Sequence, residues 1–414
     1  MVASQSTADH RAAILALAGT SGSLSRTDIS QRLDLSAATV TQVTKELISD
    51  GLLEERASAP SRGGRPAQIL GLAGSPRRAL GVKIAPDRLA ISDVELDGTV
   101  RDTSVHDFDP SSADALGNLT DVLREVIDGL DGNGSSLLGI GLGVPGGVHD
   151  PAEGIVNADI LGWRGVPLGR RLRSNLGLPV LVDNDVNALA AADCLYGRGR
   201  QHRDFLIVTI GAGIGAAIVA SDVVYRGAHG DAGELGHTPV DPNGPQCVCG
   251  NYGCLEAIIG DRALVAAAQR DGVLAANEGI SAIHAAADRG DQAAQQILRN
   301  AGDILGRSVA HVVNLVDPET VAIYGEGTTA WQHWRPGFEP ALRAHLPSVR
   351  NSIPVEIDRS DDQTWTQGAA ALVIATPFDT TGATREQGRQ IRARLTCTNN
   401  LQQDNNHEQR QPVL

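Results

Sequence analysis

Gly230–Glu256 reads GDAGELGHTPVDPNGPQCVCGNYGCLE and holds three of the five cysteines of the 414-residue chain. Cys247, Cys249 and Cys254 follow a C-x-C-x4-C spacing, with glycines at 250 and 253. Thiolates this close, joined by turns that glycine permits, supply three corners of a tetrahedral Zn²⁺ site without distorting the backbone. His237, ten residues before Cys247, is the fourth candidate. With all four corners filled by protein such an ion is structural, because no position is left for water. The alternative is a cluster of reduced thiols or a disulfide, although a single intervening residue strains a bridge between Cys247 and Cys249. Glu234 and Glu256 flank the cluster. On a metal-pinned loop they would be rigid acceptors for the hydroxyls of a polyol, and otherwise they are solvated surface glutamates; spacing alone leaves both open.

The rest of the chain bounds what that loop can serve. An apolar fraction of 42% is ample for two or three domains with cores of their own. The net charge of −14 excludes a protein that coats nucleic acid or membrane with general positive charge. Residues 1–70 carry seven Lys/Arg and seven Asp/Glu, so the whole acidic excess lies beyond them. A neutral head on an acidic body can still touch DNA. Few cysteines, mostly clustered, fit a reducing compartment. The start, MVASQSTADHR, lacks the apolar run of a signal peptide, and Ala369–Ala375 is too short to span a bilayer. A cytoplasmic protein without membrane partners is expected.

The head reads as three short helices. The first runs from Ser6 to about Gly19. The second follows Ser25 as N-cap, with Asp28 completing a capping box. The third opens at Leu35–Ser36, with Val40, Val43 and Leu47 on one face and Ala38, Thr39, Gln42 and Lys45 on another. This is the pattern of a helix-turn-helix, whose last helix lies in the major groove and carries small or polar residues toward the bases. Leu52–Glu55 and Gln68–Leu72 read as strands around a loop that holds Arg62 and Arg65, a wing able to enter a minor groove or grip phosphate. Ser36, Ala38, Thr39, Gln42, Lys45, Arg62 and Arg65 are the candidate DNA contacts. A unit for protein contacts alone is the other reading.

From Arg77 strands alternate with helices, the pattern of an α/β domain. Strands are expected at Leu80–Ile84, Arg88–Val94, Val100–Phe108 and Leu138–Val144, and again at Phe205–Ile210, Gly215–Ala220 and Thr320–Tyr324. Two such halves around a cleft suit a two-lobed, actin-like (ribonuclease-H-like) kinase fold. Gly211, Gly213 and Gly215 form a glycine-rich turn of the kind that receives phosphate on backbone N–H groups; hairpins use the same residues. Asp183–Asn187, DNDVN, ends a buried strand, where an acidic end can also cap the next helix. Helices are expected at Asp261–Ala276 and Asp291–Val316, and 377–414 reads as a disordered Gln/Asn/Thr/Arg-rich tail.

GELGH followed by CxCGxxGCLE resembles the signature of the ROK family of repressors, open reading frames and kinases, and the similarity runs from about residue 10 to about 376. The resemblance implies that His237, Cys247, Cys249 and Cys254 bind zinc. It implies that Gly147, Asn184, Asp185, Glu234, His237 and Glu256 contact a sugar. By position Asp185 is the catalytic base of the kinases, while SRTDISQRLDLSAATVTQVTKELISDGLL and RGGRP resemble the winged helix of the repressor branch. The expected domains are a winged helix-turn-helix over 1–75 and a sugar-kinase-like domain over 76–376.

One stretch departs from the family. Kinases carry a GxDxGGT-like first phosphate turn, and here Gly81–Asp87 puts Lys83 in place of the carboxylate and Ala85 and Pro86 in place of glycines. Reversed charge and a lost N–H donor make MgATP binding unexpected, so Asp185 is catalytic only if kinase activity persists. Near Gly-Trp the register offers Asn157 or Asp159 to a sugar, and Val148 stands where some members have arginine. The expectation is a sugar- or sugar-phosphate-responsive repressor that binds operator DNA as a homodimer, with a metal-braced cleft coupled to its winged helices. The alternatives are a sugar kinase with an appended DNA-binding domain and a ligand-free dimerisation platform.

Overall fold

Ser25 opens helix α1 (Arg26–Leu33) with a reciprocal capping box: its hydroxyl accepts from the Asp28 amide, and the Asp28 carboxylate accepts from the Ser25 amide. Asp34, left-handed at φ 52°, ends that helix, and Ser36 caps α2 (Ala37–Ser49). Val40, Val43 and Leu47 are buried along one face of α2. Strands β1 (Leu24–Ser25), β2 (Leu53–Arg56) and β3 (Ile69–Leu72) pair antiparallel in the order β1-β3-β2 and complete a winged helix. The computed structural model describes residues 10–11, 13–15, 17–18, 24–56, 68–73, 77–130, 136–376 and 384–396. The described residues between 10 and 18 are helical. Arg62 and Arg65 lie outside the described residues.

The remainder is built twice from one plan. In the first lobe β4 (Arg78–Ile84) pairs antiparallel with β5 (Arg88–Glu95), which pairs with β6 (Val100–Asp107). Helix α3 (Ala115–Gly129) leads to β7 (Leu137–Val144), which is parallel to β4. A small sheet of β8 (Gly147–His149), β9 (Ile155–Ala158) and β10 (Trp163–Pro167), then α4 (Leu168–Leu176), precede β11 (Val180–Asn184), which is parallel to β7. Helix α5 (Asp185–Tyr196) crosses to the second lobe, where β12 (Phe205–Ile210), β13 (Ile214–Ala220) and β14 (Val223–Tyr225) form the antiparallel part. After the cysteine loop come α6 (Leu255–Ile259), α7 (Asp261–Arg270), α8 (Ile280–Asp288) and α9 (Gln292–Val316). β15 (Thr320–Tyr324), α10 (Trp331–Ala344) and β16 (Val355–Ile357) finish the lobe, with β15 parallel to β12 and to β16. The sheet orders β11-β7-β4-β5-β6 and β14-β13-β12-β15-β16 are the same topology, a duplication too diverged to read in the residues.

Helix α11 (Asp362–Ala375) returns to the first lobe and lies so close on β4 that a Cβ at Gly81 would sit 1.8 Å from the Thr366 carbonyl oxygen. Its small residues make that approach possible. One continuous hydrophobic cluster then joins the winged helix to this lobe: Ile14, Leu47 and Leu70 share it with Leu195 at the end of α5, with Leu372 and Ile374 of α11, and with Leu138 and Leu181. Two expectations need correction. The 261–276 helix stops at Arg270, because Gly272 adopts φ 71°, and the separate α8 follows. The tail is not wholly disordered: α12 (Arg385–Thr396) buries Ile391 and Leu395 in the same cluster. No helix among the described residues is long and apolar enough to cross a membrane.

Candidate functional site

The cysteine loop is held by short backbone contacts that glycine makes possible. Gly250 and Gly253 take φ of 91° and 67°, and a Cβ at Gly253 would lie 1.5 Å from the Asp241 carbonyl oxygen. The Cys247 amide donates to the Asn251 carbonyl at 2.7 Å, and Gln246 bridges to Tyr252. As a result one ligand atom from each of His237, Cys247, Cys249 and Cys254 falls within 4.8 Å of the others. Cys247 Sγ is 3.5 Å from His237 Nδ1, and Cys249 Sγ is 3.7 Å from Cys254 Sγ. Bond lengths of about 2.3 Å to sulfur and 2.0–2.1 Å to nitrogen give tetrahedron edges of about 3.55 and 3.75 Å. The donors therefore fit a tetrahedrally held metal ion. The other ring nitrogen of His237, Nε2, faces Glu234 Oε2 at 3.7 Å, so one imidazole joins the metal cluster to the cleft.

That cleft lies between the lobes and has a volume of ≈ 1020 Å³, room for a ligand of sugar or nucleotide size. Gly147, Asn184, Asp185, Glu234, His237 and Glu256 all line it. Asn184 caps α5, its Oδ1 accepting from the amides of Val186 and Asn187 while Nδ2 donates to the Gly146 carbonyl at 3.1 Å. The capping role suspected for this strand end is thus filled by Asn184 while Asp185, the first residue of the helix, points to the cleft. Asp183 is buried, and its carboxylate accepts from Arg226 Nε at 2.7 Å. Glu256 Oε2 accepts from the Ile214 amide at 3.1 Å, tying α6 to the β12–β13 hairpin. Burial pushes the Glu234 carboxyl above its ordinary range, His237 opposes the rise, and Asp231, Glu256 and Asp185 add to it.

Lys83 reaches Asp185. The two form an ion pair at the floor of the cleft, with side chains only 15% and 12% exposed, and the ammonium also lies 4.4 Å from the centre of the Trp365 ring. Sequence reasoning found the lysine but not its partner, which lies 102 residues on, nor the tryptophan on α11. Across the cleft Gly213 and Gly215 line the wall. Gly211 is overlaid by Glu326, whose Oε2 would be 2.7 Å from a Cβ there. Asp261 stands close by, and burial followed by the charge of Glu326 pushes its carboxyl up to about 6. Of the two residues offered near Gly-Trp, Asn157 accepts from the Gly165 amide at 2.8 Å and Asp159 pairs with Arg164; both line the cleft.

On α2, Ala38, Gln42 and Lys45 are exposed and Thr39 is half-buried, all beside the exposed cap Ser36. Ser36 Oγ accepts from the Thr39 amide at 3.1 Å, and Gln42 Nε2 donates to Glu46 Oε1 at 3.2 Å. The face is open, short and polar, as a groove-reading helix requires.

The pattern of the ROK family matches residues 80–376, and that of a winged helix-turn-helix DNA-binding domain matches residues 10–54. The xylose repressor of Caldicellulosiruptor bescii is 28% identical over 371 residues, 85% of this chain and 92% of that protein. The DNA-binding transcriptional dual regulator NagC of Escherichia coli K12 is 28% identical over 375 residues, 87% of this chain and 91% of that one. A crystal structure of a ROK family transcriptional regulator, a homologue of the E. coli MLC protein, superposes with a TM-score of 0.78 at 29% identity, covering 94% of this chain and 99% of that one. A ROK glucokinase from Streptomyces griseus, solved with glucose and AMPPNP, gives 0.63 at 26% identity, covering 71% of this chain and 98% of that one. The duplicated lobes, the His/Cys3 loop and the winged helix at the front make this chain a member of the ROK family.

Proposed function

We propose that the protein is a sugar-responsive, DNA-binding transcriptional repressor. The observation that carries this reading is the Lys83–Asp185 ion pair: in a chain headed by a winged helix, the residue placed to act as kinase base is bound to a cation of its own. A kinase base takes the proton of the hydroxyl that attacks phosphorus, and here the Lys83 ammonium occupies that carboxylate, so the pair favours binding over phosphoryl transfer. Relatives named xylose repressor and N-acetylglucosamine repressor support a carbohydrate effector. Asn184, Asp185, Glu234, His237, Glu256 and the backbone at Gly147 would receive it. His237, Cys247, Cys249 and Cys254 would hold Zn²⁺, whose thiolate-rich donor set it suits, as a structural crosslink. We assign residues 1–75 to the DNA reader and 76–376 to the receptor.

Ser36, Ala38, Thr39, Gln42 and Lys45 would face the major groove, and Arg62 and Arg65 the minor groove or phosphates. The protein would act in the cytoplasm as a homodimer, because two readers about 34 Å apart fit successive major grooves. A change in the placement of the lobes on sugar binding would then break simultaneous docking. The test is operator affinity on genomic fragments selected by the purified protein, with and without a panel of free sugars. A sugar that weakens binding is expected, and indifference to every sugar refutes the reading. Lys45→Ala should lower the salt slope of binding by about one if it touches phosphate. DNDVN keeps a kinase reading open; ATP turnover with any sugar, abolished in Asp185→Asn, would establish it instead.

A further inference from the structure

Resting on the reading of the cleft as a sugar receptor, we propose that it accepts only sugars without a negative charge, and that the Lys83–Asp185 pair is the device that turns phosphorylated sugars away. Among the described residues the wall carries nine carboxylate side chains and two cationic ones, Lys83 and Arg88. Both cations are engaged: Lys83 with Asp185, and Arg88 with Asp362 at 3.0 Å and Asp87 at 3.2 Å. At the glycine turn two backbone positions that could meet a phosphate are occupied as well. Glu256 holds the Ile214 amide, and the Glu326 carboxylate overlies Gly211. A phosphate dianion entering here meets acceptors and like charge, whereas a hydroxyl is a donor and finds an acceptor at every turn.

The position of the pair matters as much as the count. Asp185 begins α5 in the cleft and, with Lys83, is nearly buried at its floor, so a phosphate ester on the sugar hydroxyl that reaches deepest would lie against Asp185 and Lys83. An uncommitted lysine there would bind the ester. Held by Asp185 and seated on the Trp365 ring, it presents a neutral pair instead. The carboxylate thereby cancels the one inner cation found among the described residues, while both partners still offer hydrogen bonds to a hydroxyl.

Calorimetric titration of the full chain decides this, using glucose and N-acetylglucosamine beside glucose 6-phosphate and N-acetylglucosamine 6-phosphate, with xylose as a further free sugar. The expected result is that at least one free sugar binds and its phosphate ester binds about a hundredfold more weakly or not at all. An ester that binds as tightly as its parent sugar overturns the inference and leaves the sugar-receptor reading standing. Binding of neither class overturns both. Asp185→Asn, checked for folding by circular dichroism, releases Lys83 and should narrow the sugar-to-ester ratio by about tenfold or more. The added change Lys83→Met should cancel that gain. An unchanged ratio in folded Asp185→Asn refutes the role given to the pair.

Discussion

Lys83→Met removes the cation that pairs with Asp185 at the cleft floor and leaves a carboxylate that is 12% exposed without that partner. Breaking a buried pair from one side costs about 3–5 kcal/mol, because the surviving charge stays desolvated. Residual solvent reduces this to about 2–3 kcal/mol, a figure that includes roughly 0.5–1 kcal/mol for the lost contact with Trp365. Asp185→Asn should cost less, since the lysine can swing toward water and its stem remains packed. The double variant Lys83→Met/Asp185→Asn has no orphaned charge, so it should recover about 2 kcal/mol relative to the sum of the single changes. For a receptor domain of roughly 300 residues, with an unfolding entropy of about 2.1 cal/mol/K per residue, 2.5 kcal/mol corresponds to about 4 °C in Tm. Differential scanning calorimetry of the four proteins at pH 7.5 reads the cycle. A coupling within about 0.5 kcal/mol of zero would mean that the pair is not formed in solution, and the argument against kinase chemistry would lose its basis.

If the cluster holds the proposed zinc, metal analysis should find about one ion per chain in the wild type and less than one in Cys249→Ser, and the variant should lose any rise in Tm caused by sugar, since His237 and Glu256 hang on that loop; equal zinc in both with an intact sugar response contradicts it. Asp261→Asn should stabilise the protein by about 1–2 kcal/mol at pH 8, the value allowing for the favourable place of an acid at the start of α7. The sign follows from a folded carboxyl at about 6 against an unfolded value of 3.8: the wild type loses stability as pH rises through 6, so the variant's advantage should fade toward pH 4 in a Tm–pH series. A gain that does not vary with pH contradicts it.

What the residues disclosed and what they hid divides along chain distance. The His/Cys3 cluster was legible because its donors lie within eighteen residues, His237 to Cys254, and their glycines declare the turns. The winged helix was legible because capping residues and apolar spacing are local signals. The Lys83–Asp185 pair was half legible: the lysine stood out as a misfit in a phosphate turn, but only the parallel ladder of β4, β7 and β11 carries it to Asp185. Glu326 and Trp365 gave no signal, since neither sits in a motif and each enters the cleft from an element that begins far along the chain. Helix α12 was misread because its composition is polar and its apolar anchor is only two residues, Gln387 and Arg394 adding polar contacts to Val180 and Leu137; Ile391 and Leu395, one turn apart, were the available sign.

The apolar cluster shared by the winged helix and α5 has a consequence for anyone who would engineer this protein. Helix α5 starts at Asp185 in the cleft and ends at Leu195 and Tyr196, with Leu195 among the side chains of the DNA reader. A chimera that replaced the residues before Arg77 would divide this cluster, parting Leu47 and Leu70 from the half of it that α5 and α11 supply. Exchange of reading heads among relatives should therefore succeed only when the receiving face travels with the graft.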